Sequence, residues 1–279
     1  MAAYDEDLAY IHDQGYSQVA EGAAASVLEL LPPHAAIVEL GCGSGVTARR
    51  LTDAGHELLG IDQSAALIAL ARRRAPRADF RVGSFVSEPI PECDAVLAIS
   101  EVFNYLFDEA NTRAALPSLF ARIHAALRPG GLLVFDLAAP RLVRADGNRT
   151  WTKGPDWAVL VENHEESELL TRHITSFIKR GAGYRRSEEV HRQRLHRPGE
   201  ILALLRAAGF RARTRRRYGE VSPGRGRHVY VARKPSSTRV DRDSEGAISP
   251  TGRGGARSAR RSRARRTSGS RSGPAGRLR

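Results

Sequence analysis

Three short segments of this 279-residue chain set glycine and carboxylate where a backbone could receive a polar ligand. The first is Val38-Glu39-Leu40-Gly41-Cys42-Gly43-Ser44-Gly45-Val46. Glycines at 41, 43 and 45 let the chain turn sharply and let a ligand approach the backbone closely. In open α/β sheets that position, just beyond the carboxyl end of the first strand, is where nucleotides bind. A tight strand-to-helix turn would call for the same glycines without any ligand. A nicotinamide fingerprint would need glycine at 46, where Val46 stands. The second segment, Leu58-Leu59-Gly60-Ile61-Asp62, ends in an acid 21 residues beyond Gly41. Its carboxylate could accept both hydroxyls of a ribose, or could serve the N-terminus of the helix that Ser64 begins. In the third, Leu127-Arg128-Pro129-Gly130-Gly131-Leu132-Leu133, proline stops a helix and the glycines turn it into a strand.

The elements that would position these segments alternate. Ser17–Leu31 has a helical period carrying Val19, Ala23, Val27 and Leu31, and Pro32-Pro33 ends it. Strands are predicted at Ala36–Leu40, His56–Asp62, Phe80–Gly83, Cys93–Ser100 and Leu132–Leu137, with helices over 46–54, 64–74 and 109–127. Strand–helix–strand units of this length imply right-handed crossovers and a parallel sheet covered on both faces. After Pro140 the rhythm changes. Residues 141–155 read as a loop, and Trp157–His164, Leu169–Ile178 and Tyr184–His196 as an antiparallel three-stranded meander. A helix over Pro198–Ala208 and strands at Phe210–Tyr218 and His228–Ala232, joined by a hairpin-like SPGRGR, complete the body.

Taken together, the three segments resemble the class I S-adenosylmethionine-dependent methyltransferases of the small-molecule type, with a domain similar to types 11 and 25. ELGCGSG is similar to that family's first motif, GID to its second and LRPGGLL to its last. The resemblance covers residues 35–137 and extends more loosely to Ala232. It implies a Rossmann-like, doubly wound, mostly parallel seven-stranded sheet, with the antiparallel insertion at 141–197 serving as a lid over the acceptor. It also implies S-adenosylmethionine as cofactor. Gly41, Cys42, Gly43 and Gly45 would belong to its loop, Glu39 would orient that loop or meet the methionine amine, and Asp62 would hold the ribose beside Gln63. Ser84 stands where relatives carry an acid for the adenine amine, Phe85 could pack on the ring, and Ser100 with Glu101 should border the methyl group.

Methyl transfer asks the protein to align an acceptor and, for a hydroxyl or protonated amine, to remove a proton. Glu101 and Tyr105 lie closest in sequence to the expected methyl position; a first-turn acid and a core aromatic are the alternatives. Strand alternation groups Arg185, Glu189 and His191 on one face, so His191 could be a base oriented by Glu189, or the two could be a solvated cross-strand pair. The N-terminal stretch offers Tyr4, Tyr10, His12 and Tyr16 as a cover for the cofactor, or Leu8 and Ile11 as a packing stripe.

Composition narrows the class further. Two cysteines, Cys42 and Cys93, exclude a disulfide scaffold and a cysteine-rich zinc site and suit a reducing, cytoplasmic setting. No apolar run reaches a membrane-spanning length, and Asp5, Glu6, Asp7, Asp13 and Glu21 near the start of the chain speak against a signal peptide. The net charge of +13 is concentrated in residues 235–279, where 12 Arg face three acids. This tail, rich in Arg, Ser and Gly, reads as disordered. It is either a solvated extension or an arm for nucleic-acid phosphates. The expectation is therefore a methyltransferase domain over 1–234 acting on oxygen or nitrogen of a small molecule, with an RNA methyltransferase or a non-catalytic cofactor-binding module as alternatives.

Overall fold

Two helices open the chain, α1 (Glu6–Gly15) and α2 (Gln18–Leu28). The computed structural model describes residues 4–143 and 148–236. Strand and helix then alternate: β1 (Ala36–Leu40), α3 (Val46–Asp53), β2 (Glu57–Asp62), α4 (Ala65–Arg74), β3 (Asp79–Val82), β4 (Cys93–Ala98), α5 (Ala115–Ala126) and β5 (Leu127–Ala138). Four strands follow in succession, β6 (Asn148–Lys153), β7 (Trp157–Glu166), β8 (Leu169–Arg180) and β9 (Gly183–Arg194). The body closes with α6 (Pro198–Ala207), β10 (Arg211–Arg215) and β11 (Arg227–Arg233).

The main sheet has seven strands in the order β10-β11-β5-β4-β1-β2-β3. β11 alone runs against its neighbours, pairing antiparallel with both β5 and β10. From β1 the chain winds outward through β2 and β3 on one side, and from β4 through β5 on the other. The strand order thus reverses between β1 and β4, and their carboxyl ends border a crevice, as doubly wound sheets require.

Alternation along the central strands explains why both faces are covered. Ile37, Ala95 and Leu97 pack with Ala23, Val27, Leu51 and Ile68 from helices on one side. Val38, Leu40, Val96 and Ala98 pack with Phe120, Ile123, Ile201 and Leu205 from helices on the other. Side chains on both sides are fully buried, so these strands read as continuous apolar runs. Close packing leaves no room at Gly60 in β2, where a Cβ would lie 2.7 Å from Phe80 and 2.8 Å from the sulfur of Cys42. Gly60→Ala is expected to lower the unfolding free energy by about 1–3 kcal/mol, as overpacking does. Urea denaturation of variant and wild type measures it.

The structure departs from the sequence reading in several places. Strand β5 already begins at Leu127, so Pro129 lies inside a strand and not at a helix stop, and β10 ends at Arg215, short of Tyr218. The antiparallel insertion has a fourth strand, β6, inside the stretch read as a loop. All six β6 residues are exposed, so no buried face imposes an apolar alternation; the strand is recognisable only through its ladder to β7, Trp151 opposite Leu160. Helix α2 stops at Leu28, where Leu30 N–H turns back onto the Val27 carbonyl. Helix α5 begins at Ala115 rather than 109. Ahead of it Asp108 accepts from Ala110 N–H, and the Asn111 amide donates to the Phe103 and Tyr105 carbonyls, so these residues build a loop instead of a first turn. The basic tail lies outside the described residues beyond Ser236. Among the described residues no helix is long and apolar enough to cross a membrane.

Candidate active site

The glycine bend leaves β1 with positive φ at Gly41 (+67°), Gly43 (+53°) and Gly45 (+77°). Gly41 and Cys42 both donate to the Ile61 carbonyl, at 2.7 and 3.1 Å, which stitches the bend to β2. Asp62 completes the stitch. One of its carboxylate oxygens accepts from Gly43 N–H and the other from Ser64 N–H, each at 2.9 Å. Burial raises the Asp62 pKa, and these N–H groups work against that rise. The helix-capping role belongs to Ser64, whose hydroxyl accepts from Leu67 N–H.

The three glycines differ in purpose. A Cβ at Gly41 would strike Val102 at 2.5 Å, and one at Gly45 would press on Ala71 at 3.0 Å, so Gly45 serves helix packing. A Cβ at Gly43 would meet nothing within 4 Å. That opening belongs to a crevice lined also by Asp62, Gln63, Phe85, Ser100 and Tyr105. Beside it, a small cavity reaches Glu39, Cys42 and Ser44. Glu39 is 2% exposed and its Oε2 has no partner. Burial pushes its pKa up to about 8. A buried carboxyl with an unanswered oxygen at the edge of a glycine cradle fits a ligand that brings a cation. Phe85 is buried and presents an aromatic wall. Ser84 donates to Asp108, which brings a carboxylate from the loop before α5 beside the position that lacks one.

Beyond Ser100 the crevice opens into a larger cavity of about 570 Å³ between the main sheet and the antiparallel one. Ser100 and Glu101 both hold left-handed backbone angles, φ +71° and +65°. For residues with a Cβ this costs about 1–3 kcal/mol each, and it is held by Asp136, which accepts from both N–H groups at 2.7 and 3.2 Å. Glu101 does not stand free. Its carboxylate meets Arg172, Arg227 and Gln193, three residues that the sequence reading did not single out. Burial would raise its pKa, but the two guanidinium groups outweigh that and hold it below the usual carboxylate value. Tyr105 is bonded through its hydroxyl to that of Tyr4 at 3.1 Å, and burial raises its pKa.

His191 lines the larger cavity and is 1% exposed, so with Glu189 it forms an interior pair rather than a solvated one. Its Nε2 lies 2.8 Å from a Glu189 oxygen. The rings of Phe107 and Tyr4 pack on it with centroids 4.7 and 5.0 Å away. The same Glu189 carboxylate accepts from the N–H groups of Tyr4 and Asp5, both at 3.0 Å, and Ser64 donates to the Tyr4 carbonyl. Tyr4 thereby lies across both spaces, and His12 borders all three. The packing stripe is present as well, with Leu8 and Ile11 buried against Trp157 and Val159. Tyr10 points elsewhere, its hydroxyl on Asp156. Among the described residues no group of three or more His, Cys, Asp or Glu is arranged to hold a metal ion.

A crevice at the switch point of a doubly wound sheet, a glycine bend and a strand-end acid together define a nucleotide-type site. Residues 37–131 match the methyltransferase domain family. The chain is 27% identical over 194 residues to a putative methyltransferase, GWCH70_2453, of Geobacillus sp. strain WCH70, covering 62% of this chain and 73% of that one. It is 30% identical over 150 residues to a dTDP-3-amino-3,6-dideoxy-alpha-D-glucopyranose N,N-dimethyltransferase of Streptomyces fradiae, spanning 48% of this chain and about half (54%) of that one. The sugar N-methyltransferase KedS8 of Streptoalloteichus sp. superposes with a TM-score of 0.68 over 85% of this chain and 95% of that one; at 20% identity the likeness is one of fold. Residues 37–131 are thus a methyltransferase domain, and the chain is an enzyme that takes its methyl group from S-adenosylmethionine.

Proposed function

We propose that residues 1–234 transfer the methyl group to oxygen or nitrogen of a small-molecule acceptor in the cytoplasm. The observation that carries this is the cavity of about 570 Å³, continuous with the crevice at Ser100 and roofed by the antiparallel sheet. It is of the size that small-molecule sites occupy. Two free, buried cysteines suit a reducing compartment. In this reading Glu39 takes the amine of the cofactor, Asp62 its ribose hydroxyls, and Gln63 and Phe85 flank the adenine. When bound, S-adenosylmethionine supplies an electrophilic methyl group on a sulfonium.

The chain's own residues do the rest. Glu189 can only accept, so the His191 nitrogen facing it carries the proton and the other ring nitrogen keeps a lone pair. Glu189 thereby fixes the tautomer in which His191 takes a proton from the acceptor. Tyr4, Tyr105 and Phe107 wall this imidazole off from water. Glu101, held between two arginines, anchors the antiparallel sheet to the body and is not the base.

Asp62→Ala should weaken S-adenosylhomocysteine binding by roughly 5- to 150-fold, the equivalent of ~1–3 kcal/mol for a lost charged hydrogen-bond partner. Isothermal titration on protein shown to be folded measures it. The function itself is tested by supplying methyl-labelled cofactor and metabolite pools, and identifying by mass what acquires label. Label entering only nucleic acid, or entering nothing, overturns the reading.

A further inference from the structure

Three arginines line the larger cavity, Arg172 from the antiparallel sheet, Arg225 from the approach to β11 and Arg227 from the first position of that strand. The acids lining it among the described residues are Glu101 and Asp136. Glu101 is shared between Arg172, at 3.2 Å, and Arg227, so one carboxylate answers two guanidinium groups. Asp136 is already engaged. It is 1% exposed, and its oxygens are taken by Ser100 N–H, Glu101 N–H and the Tyr218 hydroxyl. Arg172 has its Nε buried without a partner. Arg225 forms no ion pair or hydrogen bond with the described residues and is exposed. Among the described residues the cavity therefore offers more guanidinium donors than free carboxylate acceptors, while Leu8, Val159 and Ile174 supply apolar wall.

A guanidinium fork matches a carboxylate or phosphate in two-point contact. We propose that Arg225, with Arg172 and Arg227, forms an oxyanion subsite that binds a carboxylate or phosphate carried by the methyl acceptor. This rests on the reading of the cavity as the acceptor's place and narrows it to acidic small molecules. Arg172 and Arg227 also hold the Glu101 clamp, so they orient the subsite from fixed positions. Arg225 takes no part in that clamp, and it supplies a charge whose removal leaves the clamp intact.

The test titrates citrate and inorganic pyrophosphate, in separate arms, into the full chain with and without saturating S-adenosylhomocysteine. The proteins are wild type, Arg225→Gln, Arg172→Gln and, as a control on the outer face of the antiparallel sheet, Arg149→Gln. The expected result is saturable binding of one of the two anions, weakened about tenfold or more in Arg225→Gln and Arg172→Gln. Arg149→Gln should match wild type, and the anion that binds tells carboxylate from phosphate. Binding of neither anion, or equal binding by wild type and Arg225→Gln, overturns the subsite. S-adenosylhomocysteine failing to bind folded protein overturns the methyltransferase reading instead, and the anion arms without it still decide the subsite.

Discussion

Replacing His191 by Gln should lower kcat by about 10²–10⁴-fold, the usual worth of a positioned general base, while leaving S-adenosylhomocysteine affinity within about twofold. The split follows from the geometry. His191 lines the larger cavity, the proposed place of the acceptor, and is absent from the lining of the crevice at the glycine bend. Its partner Glu189 does two jobs, orienting the imidazole and holding the N–H groups of Tyr4 and Asp5. Glu189→Gln should therefore move both kcat and cofactor affinity, because the N-terminal segment over the crevice loses its anchor. The rates are read from labelled-methyl transfer under saturating cofactor, alongside a melting curve for each variant. A His191→Gln enzyme as fast as wild type would remove the base from the account.

Glu39→Gln should change stability and binding in opposite directions. Glu39 is buried with one oxygen unpartnered, and burial pushes its pKa up to about 8 in the folded chain. An unfolded glutamate ionises near its ordinary value of 4.5. Between those two values the folded state holds a proton that the unfolded state has released. Stability falls as pH rises through that window, by about 1.4 kcal/mol per unit and on the order of 3 kcal/mol by pH 7. Below the window the contribution is fully present; above about pH 8 the loss is complete. The amide introduced by Glu39→Gln does not titrate, so the variant without cofactor should become more stable than wild type as pH rises from 5 to 8, and should bind S-adenosylhomocysteine more weakly. Wild type should also release about one proton per ligand bound near pH 7, because the carboxyl must ionise to meet the arriving ammonium. Calorimetry in buffers of different ionisation enthalpy counts that proton, and a count of zero would place the amine elsewhere.

Local chemistry made much of the cofactor side readable from the chain. A bend with positive φ at three positions in five residues needs glycine, and an acid closing the next parallel strand falls beside it wherever two strands pair in register. Gly41, Gly43 and Asp62 follow from those rules, whereas Glu39 was indicated by the family resemblance alone. Gly45 looked equivalent and is not, because its neighbour is Ala71 on a helix distant in sequence. The acceptor side was legible in part. Alternation put Glu189 and His191 on one face of β9, but it could not tell which face the body would cover. The same alternation puts Arg172 on the face opposite Thr171 and His173, a signal the many arginines of this chain obscured. The Glu101 clamp joins residues 71 and 126 positions apart, and no local pattern announces such contacts. β6 escaped notice because an edge strand with every residue exposed leaves no apolar period to read.

A crystal structure of the chain grown with S-adenosylhomocysteine is the most direct check. The account places the ligand against Gly41 and Gly43, with its ribose hydroxyls on the Asp62 carboxylate, its amine at Glu39, and its sulfur facing the cavity beyond Ser100. A ligand seated anywhere else on a folded chain, with this crevice closed by its own side chains, would contradict it.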